Sequence, residues 1–167
     1  MTITVEDGSV VANATSFVTL AESDTYFEDR NMTTWSDSSD DDTKEASLIK
    51  AADWMNTLSW EGLRVDADQT LCFPREGMYY EDGYAVDDDA IPTQIKHAQM
   101  EAAYREFNTA GSLEPDEDRG GQIKREKIDV LETEYFGGAP SGTVHNKVKN
   151  LLRQFLKSSL SFKLERT

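Results

Sequence analysis

The chain's 167 residues suit one domain, and 38% hydrophobic content with three Trp, six Tyr and seven Phe can build a modest core. A formal net charge of −15 argues against a body that grips nucleic acid, because Lys and Arg supply most of that affinity. No apolar run reaches the ~18 residues of a membrane span, Met1–Asp7 lacks the basic-then-apolar order of a secretion signal, and Cys72 alone excludes an internal disulfide. These features fit synthesis in the cytosol, with no membrane partner.

Residues 2–18 are predicted to be extended, with Ile3 and Val5 alternating and Asp7-Gly8 turning the chain. Thr19 precedes Glu22 by three positions, the capping box of a helix from about Leu20 to Arg30 that buries Leu20, Tyr26 and Phe27. Asn31 to Asp42 reads as a loop around Trp35. Asp42 and Glu45 form a second capping box, opening a helix from about Thr43 to Ser59 with Leu48, Ala51, Ala52, Met55 and Leu58 on one face.

Residues 66–90 form a long irregular stretch in which Tyr79, Tyr80 and Tyr84 are expected to pack the loop. Pro92 then starts a helix to about Asn108, with the Asp87–Asp89 run at its positive end and Gly111 as its stop. Its apolar residues cover a wide arc, which predicts contact on more than one side. Gly111 to Gln122 is linker-like, and Lys124 to Phe136 alternates as a strand. Val144, Val148, Leu151, Leu152, Phe155 and Leu156 recur at helical spacing, after which Leu160, Phe162 and Leu164 alternate as in an extended segment.

Charge divides along the chain. From Thr143 onward six basic residues (Lys147, Lys149, Arg153, Lys157, Lys163, Arg166) face one acid, Glu165, so the remainder holds −20 of the total of −15. Chemistry finds little footing: His97 reads as a surface or boundary residue and Cys72 as a buried thiol. The Asp37–Asp42 and Asp87–Asp89 clusters lack the alternating ligands, bend glycine and closing glutamate of a calcium loop. They read as solvated charge or helix-end stabilisation. The helical part of the tail is as well explained by packing on its own core as by docking. Leu160–Thr167 is better explained by burial against a partner. Lys147, Lys149, Arg153 and Lys157, interleaved with Phe155 and Phe162, could also track a nucleic-acid strand.

Several short motifs occur in order: Ser16–Phe27 (SFVTLAESDTYF), Ala46–Asp53 (ASLIKAAD), Trp60-Glu61-Gly62, Gln69–Arg75 (QTLCFPR), Ala90-Ile91-Pro92 and Lys124–Ile128 (KREKI). Over about residues 3–156 this succession resembles a family of small tailed-phage proteins described as DnaT-like single-stranded-DNA-binding proteins. It is also similar to head–tail connector proteins, the adaptor or head-completion proteins encoded near the capsid gene. Phe73 stands where that pattern carries Trp, an exchange between aromatic residues. The resemblance implies a helical adaptor in a ring of about twelve copies below the portal.

The expected fold is therefore mainly α, a small bundle of three to four helices with a short β element and an extended C-terminal arm. Residues 1–156 would form the domain, with acidic loops at 31–42, 66–90 and 111–123, and residues 157–167 the arm. The resulting expectation is a structural virion protein at the head–tail interface, without catalysis, cofactor or metal. Its partners would be the portal protein, further copies of itself and the tail or nozzle protein, with packaged double-stranded DNA passing through the ring. Phe155, Lys157, Leu160, Phe162, Lys163, Leu164 and Arg166 would dock the portal, and Asp40, Asp41, Asp87, Asp88 and Asp89 would face the channel or a neighbour. A single-stranded-DNA-binding accessory protein is the alternative.

Overall fold

Thr19 begins the first helix as its sequence requires. Its hydroxyl accepts from the Glu22 amide at 3.1 Å, and the Glu22 carboxylate accepts from the Thr19 amide at 2.7 Å, closing the box that starts α1 (Leu20–Glu28). The computed structural model describes residues 2–114, 125–128, 131–134 and 146–157. Among these, α1 is followed by α2 (Thr33–Ser36), α3 (Asp41–Asn56), β1 (Leu63–Arg64), β2 (Arg75–Glu76), α4 (Thr93–Asn108), β3 (Arg125–Ile128), β4 (Leu131–Glu134) and α5 (Asn146–Leu152). The fold is mainly helical with short β elements, as expected. Two antiparallel ladders, β1–β2 and β3–β4, supply the β structure, with Leu63 opposite Glu76 and Ile128 opposite Leu131.

α4 is the central element, packing against both α3 and α5. Its wide apolar arc is the reason: Ile95, Ala98, Met100, Ala102 and Ala103 are all buried. Ala98, Ala102 and Ala103 of α4 and Ala51 and Ala52 of α3 are all buried, and small side chains such as these let packed helices approach closely. Phe73, at the end of the long loop, is fully buried and sets its ring edge-on to Phe17 (6.4 Å), Trp60 (5.2 Å) and Phe155 (6.2 Å). One aromatic side chain thus joins the N-terminal segment, the end of α3 and the segment after α5.

The 66–90 loop owes its order to a buried cation rather than to its tyrosines alone. The Arg75 guanidinium donates to the carbonyls of Glu61 (2.7 Å), Gly62 (2.9 Å) and Cys72 (3.2 Å). Gly62 is required at this crossing: its φ is +64°, and a Cβ there would lie 2.5 Å from the Glu76 carbonyl oxygen.

Four expectations need correction. Residues 2–18 form a loop with one parallel bridge, Val5–Ser16, because the buried Glu6 carboxylate accepts from the amides of Gly8, Val10 and Val11 and curls the chain around itself. Trp35 lies in the short helix α2, fully buried between Phe27 (4.8 Å) and Phe107 (5.0 Å). α3 starts at Asp41 with Asp40 as its cap, two residues before the expected box. Lys124–Phe136 holds a hairpin, β3 and β4, instead of one strand.

Candidate nucleic-acid interface

α5 ends at Leu152, earlier than its apolar spacing predicts, because the chain beyond it pairs with the end of α3's loop. The Glu61 amide donates to the Phe155 carbonyl (2.9 Å), the Lys157 amide donates to the Ser59 carbonyl (3.0 Å), and Leu156 bridges Trp60 antiparallel. This pairing drives Phe155 inward. Expected at a docking surface, Phe155 is instead fully buried, against Phe73 and, at 5.9 Å, Tyr80. Lys157 is exposed. Leu160, Phe162, Lys163, Leu164 and Arg166 lie outside the described residues.

From Asn146 to Lys157 the sequence carries Lys147, Lys149, Arg153 and Lys157 and no acid. All four are exposed. Beside them stands a small hairpin, residues 78–86, that periodicity did not reveal. Its base is fixed by the buried side chains of Met78 and Val86, with the Val86 amide donating to the Met78 carbonyl (3.0 Å) and the Tyr80 amide to the Tyr84 carbonyl (2.8 Å). Its tip is joined to the segment after α5: the Glu81 amide donates to Gln154 Oε1 (3.1 Å), and Arg153 Nη2 reaches both Glu81 carboxylate oxygens at 3.2 Å. Tyr80 turns inward onto Phe155, whereas Tyr79 is 62% and Tyr84 75% exposed. The expectation that all three tyrosines pack the loop holds only for Tyr80. Glu81 and Asp82 put two carboxylates on the same tip, the first of them held by Arg153.

The acidic residues have local roles. Asp40 caps α3, accepting from the Thr43 amide (3.1 Å) and hydroxyl (2.6 Å), and these bonds hold its pKa below the usual carboxylate value. Asp41 occupies the first turn, where the helix dipole favours a negative charge. Asp87, Asp88 and Asp89 are exposed in the loop before α4. Cys72 is buried, which pushes its thiol up to about 12, so it stays protonated at neutral pH. His97 is half-buried with its ring 4.8 Å from that of Tyr26; burial, then the neighbouring Arg30 charge, lower its pKa.

What α5 and the hairpin joined to the segment after it offer chemically is an acid-free run of cations and two exposed aromatic rings, which the Tyr79–Ala85 bridge sets on opposite faces of the hairpin. Rings can stack on bases and cations can neutralise phosphates, the two interactions that hold single strands without regard to sequence. The sequence showed the cations. The rings were hidden because nothing in their spacing separates Tyr80, turned inward, from Tyr79 and Tyr84.

The model of the protein family described as "Putative DnaT-like ssDNA binding protein" matches residues 1–167. No curated protein and no solved structure matches the chain significantly. The family match overturns the expected head–tail connector: its description names single-stranded DNA and contains nothing of a virion, portal, adaptor ring or DNA channel. The division of charge leaves room for a DNA binder that uses its basic segment, since an acidic body confines a polyanion to the basic face.

Proposed function

Because the chain belongs to the family of DnaT-like ssDNA-binding proteins, we propose that it is a single-stranded-DNA-binding accessory protein whose contact face is α5 with the tyrosine hairpin. The hairpin that carries exposed Tyr79 and Tyr84, joined through Glu81 to Arg153 and Gln154 of the acid-free run Lys147–Lys157, carries this reading. Each stacked base contributes about 1–3 kcal/mol in such interfaces, whichever base it is. Each phosphate neutralised by Lys or Arg releases counterions and adds salt-dependent affinity. Among the described residues Arg153 is held by an exposed pair with Glu81, and such pairs stabilise little, so exchange of that carboxylate for a phosphate is easy. The acidic surface elsewhere repels DNA and keeps the strand on this one face.

Fluorescence anisotropy with a labelled oligo-dT tests the proposal. Binding is expected at low salt, falling as salt rises with a logarithmic slope of about −0.7 per phosphate contacted. Tyr79→Ala with Tyr84→Ala should weaken binding by about tenfold or more. Arg153→Ala with Lys157→Ala should weaken it and flatten the salt slope. Absence of binding at low salt, or full binding by both double variants, would overturn the reading.

A further inference from the structure

A groove of ≈ 560 Å³ opens between α1 and α4, lined among others by Tyr26, Asp29, Arg30, Lys96, His97 and Met100. The Arg30 guanidinium lies flat enough on Tyr26 to bring its Cζ 3.5 Å from the ring centroid, and its Nη1 donates to the Tyr26 carbonyl at 2.9 Å. That cation is fixed before any ligand arrives, so little side-chain freedom is lost in using it. Lys96 stands on the α4 wall, 3.5 Å from Glu22, whose carboxylate is also engaged by the Thr19 cap. Asp29 is the carboxylate left to oppose an anion in the groove.

The groove is joined to the basic helix through one buried side chain. Glu101, 2% exposed, lies one turn beyond His97 on α4. It accepts from the Tyr26 hydroxyl at 3.0 Å, forms an ion pair with Lys147 of α5 and lies 3.6 Å from Arg105. The groove floor and the start of α5 therefore share a carboxylate, and its charge is balanced by Lys147 and Arg105. Cations stand in the groove (Arg30 and Lys96), on the seven residues of α5 (Lys147 and Lys149) and at the tyrosine hairpin (Arg153). α5 alone is about 10 Å long.

We propose that the DNA strand continues from the tyrosine hairpin along α5 into the α1–α4 groove, where Arg30 and Lys96 hold a backbone phosphate. The proposal rests on the single-stranded-DNA reading of α5 and adds a second anchor to it. It makes the contact length-dependent: an oligonucleotide too short to pass α5 reaches only one of the two anchors.

The test compares oligo-dT of about 4 and about 12 nucleotides on the full chain, on Lys96→Gln, and on Arg30→Gln with Lys96→Gln. Lys96→Gln alone removes an amine at the surface of the groove, so its fold is secure; circular dichroism checks the double variant. With the long strand, the double variant is expected to lose affinity, and its salt slope to shrink by about 0.7 for the one phosphate lost. Lys96→Gln should show part of that loss. The short strand should bind all three proteins alike. Unchanged affinity and slope for the long strand, while the parent chain binds it, would overturn the groove anchor and leave the α5 face standing. If the parent chain binds neither strand, both readings fall. A third arm uses thymidine monophosphate: if it binds the groove and the long strand does not displace it, the site holds free nucleotides and the path proposed here is wrong.

Discussion

Gln99 has no exposed surface, yet it is a polar residue on the most buried helix of the protein. Its amide explains why. Nε2 donates to Ser16 Oγ (2.8 Å) and to the Leu48 carbonyl (2.9 Å), and Oε1 accepts from the Phe17 amide (2.9 Å). One side chain therefore satisfies the N-terminal segment, α3 and α4 together. Leucine has about the same size and none of these bonds. Gln99→Leu is expected to leave the buried Phe17 amide without its partner and to lower stability by about 1–3 kcal/mol. Urea unfolding should show a lower midpoint with an unchanged slope. An unchanged midpoint would mean that the three bonds contribute nothing net. This residue was not legible in the sequence, because a glutamine within a wide apolar arc looks like the arc's edge.

Helix ends were the most legible elements, since a cap is written within four residues of chain. Thr19 and Glu22 close the expected box, and Thr19→Ala should lower stability by about 1 kcal/mol, read from thermal or urea unfolding. α3 shows where local reading reaches its limit. Asp40, Asp41 and Asp42 can each cap a helix, and the box spacing of Asp42 to Glu45 points to one that the fold does not use. Using Asp40 places the other two in the first turn, where both meet the positive end of the dipole. What local rules could not show depends on contacts far along the chain. Trp35 is held in α2 by an indole bond to Asp24 (2.9 Å), and Phe155 is drawn inward by pairing with the Ser59–Glu61 segment. The candidate site divides in the same way. Its cations were visible as a run, whereas Tyr79 and Tyr84 became visible as partners only once Gln154 and Arg153 were seen to hold the hairpin.

Over the whole molecule, one property acts on two processes with opposite sign. The chain carries −15, and exposed runs such as Asp87–Asp89 and Asp40–Asp42 concentrate that charge on the body. Self-repulsion of this kind destabilises the compact state. Added salt screens it, since the Debye length falls from about 10 Å at 0.1 M to about 3 Å at 1 M. Among the described residues several ion pairs have a buried partner, such as Lys44 with Asp24 at 3.0 Å, and buried partners are screened less. Raising sodium chloride from about 0.05 M to about 0.5 M should therefore raise the melting temperature, by about 2–4 °C for each kcal/mol of repulsion relieved. The same change should weaken DNA binding, with a slope near −2 when Lys149, Arg153 and Lys157 each neutralise one phosphate. Melting curves and anisotropy titrations across one salt series measure both. Loss of binding together with a rising melting temperature locates the effect at the basic face, because the body is then more stable where binding is weaker. A melting temperature that falls in step with binding would instead show that attractive pairs outweigh the repulsion, and that salt weakens the interface by loosening the fold beneath it.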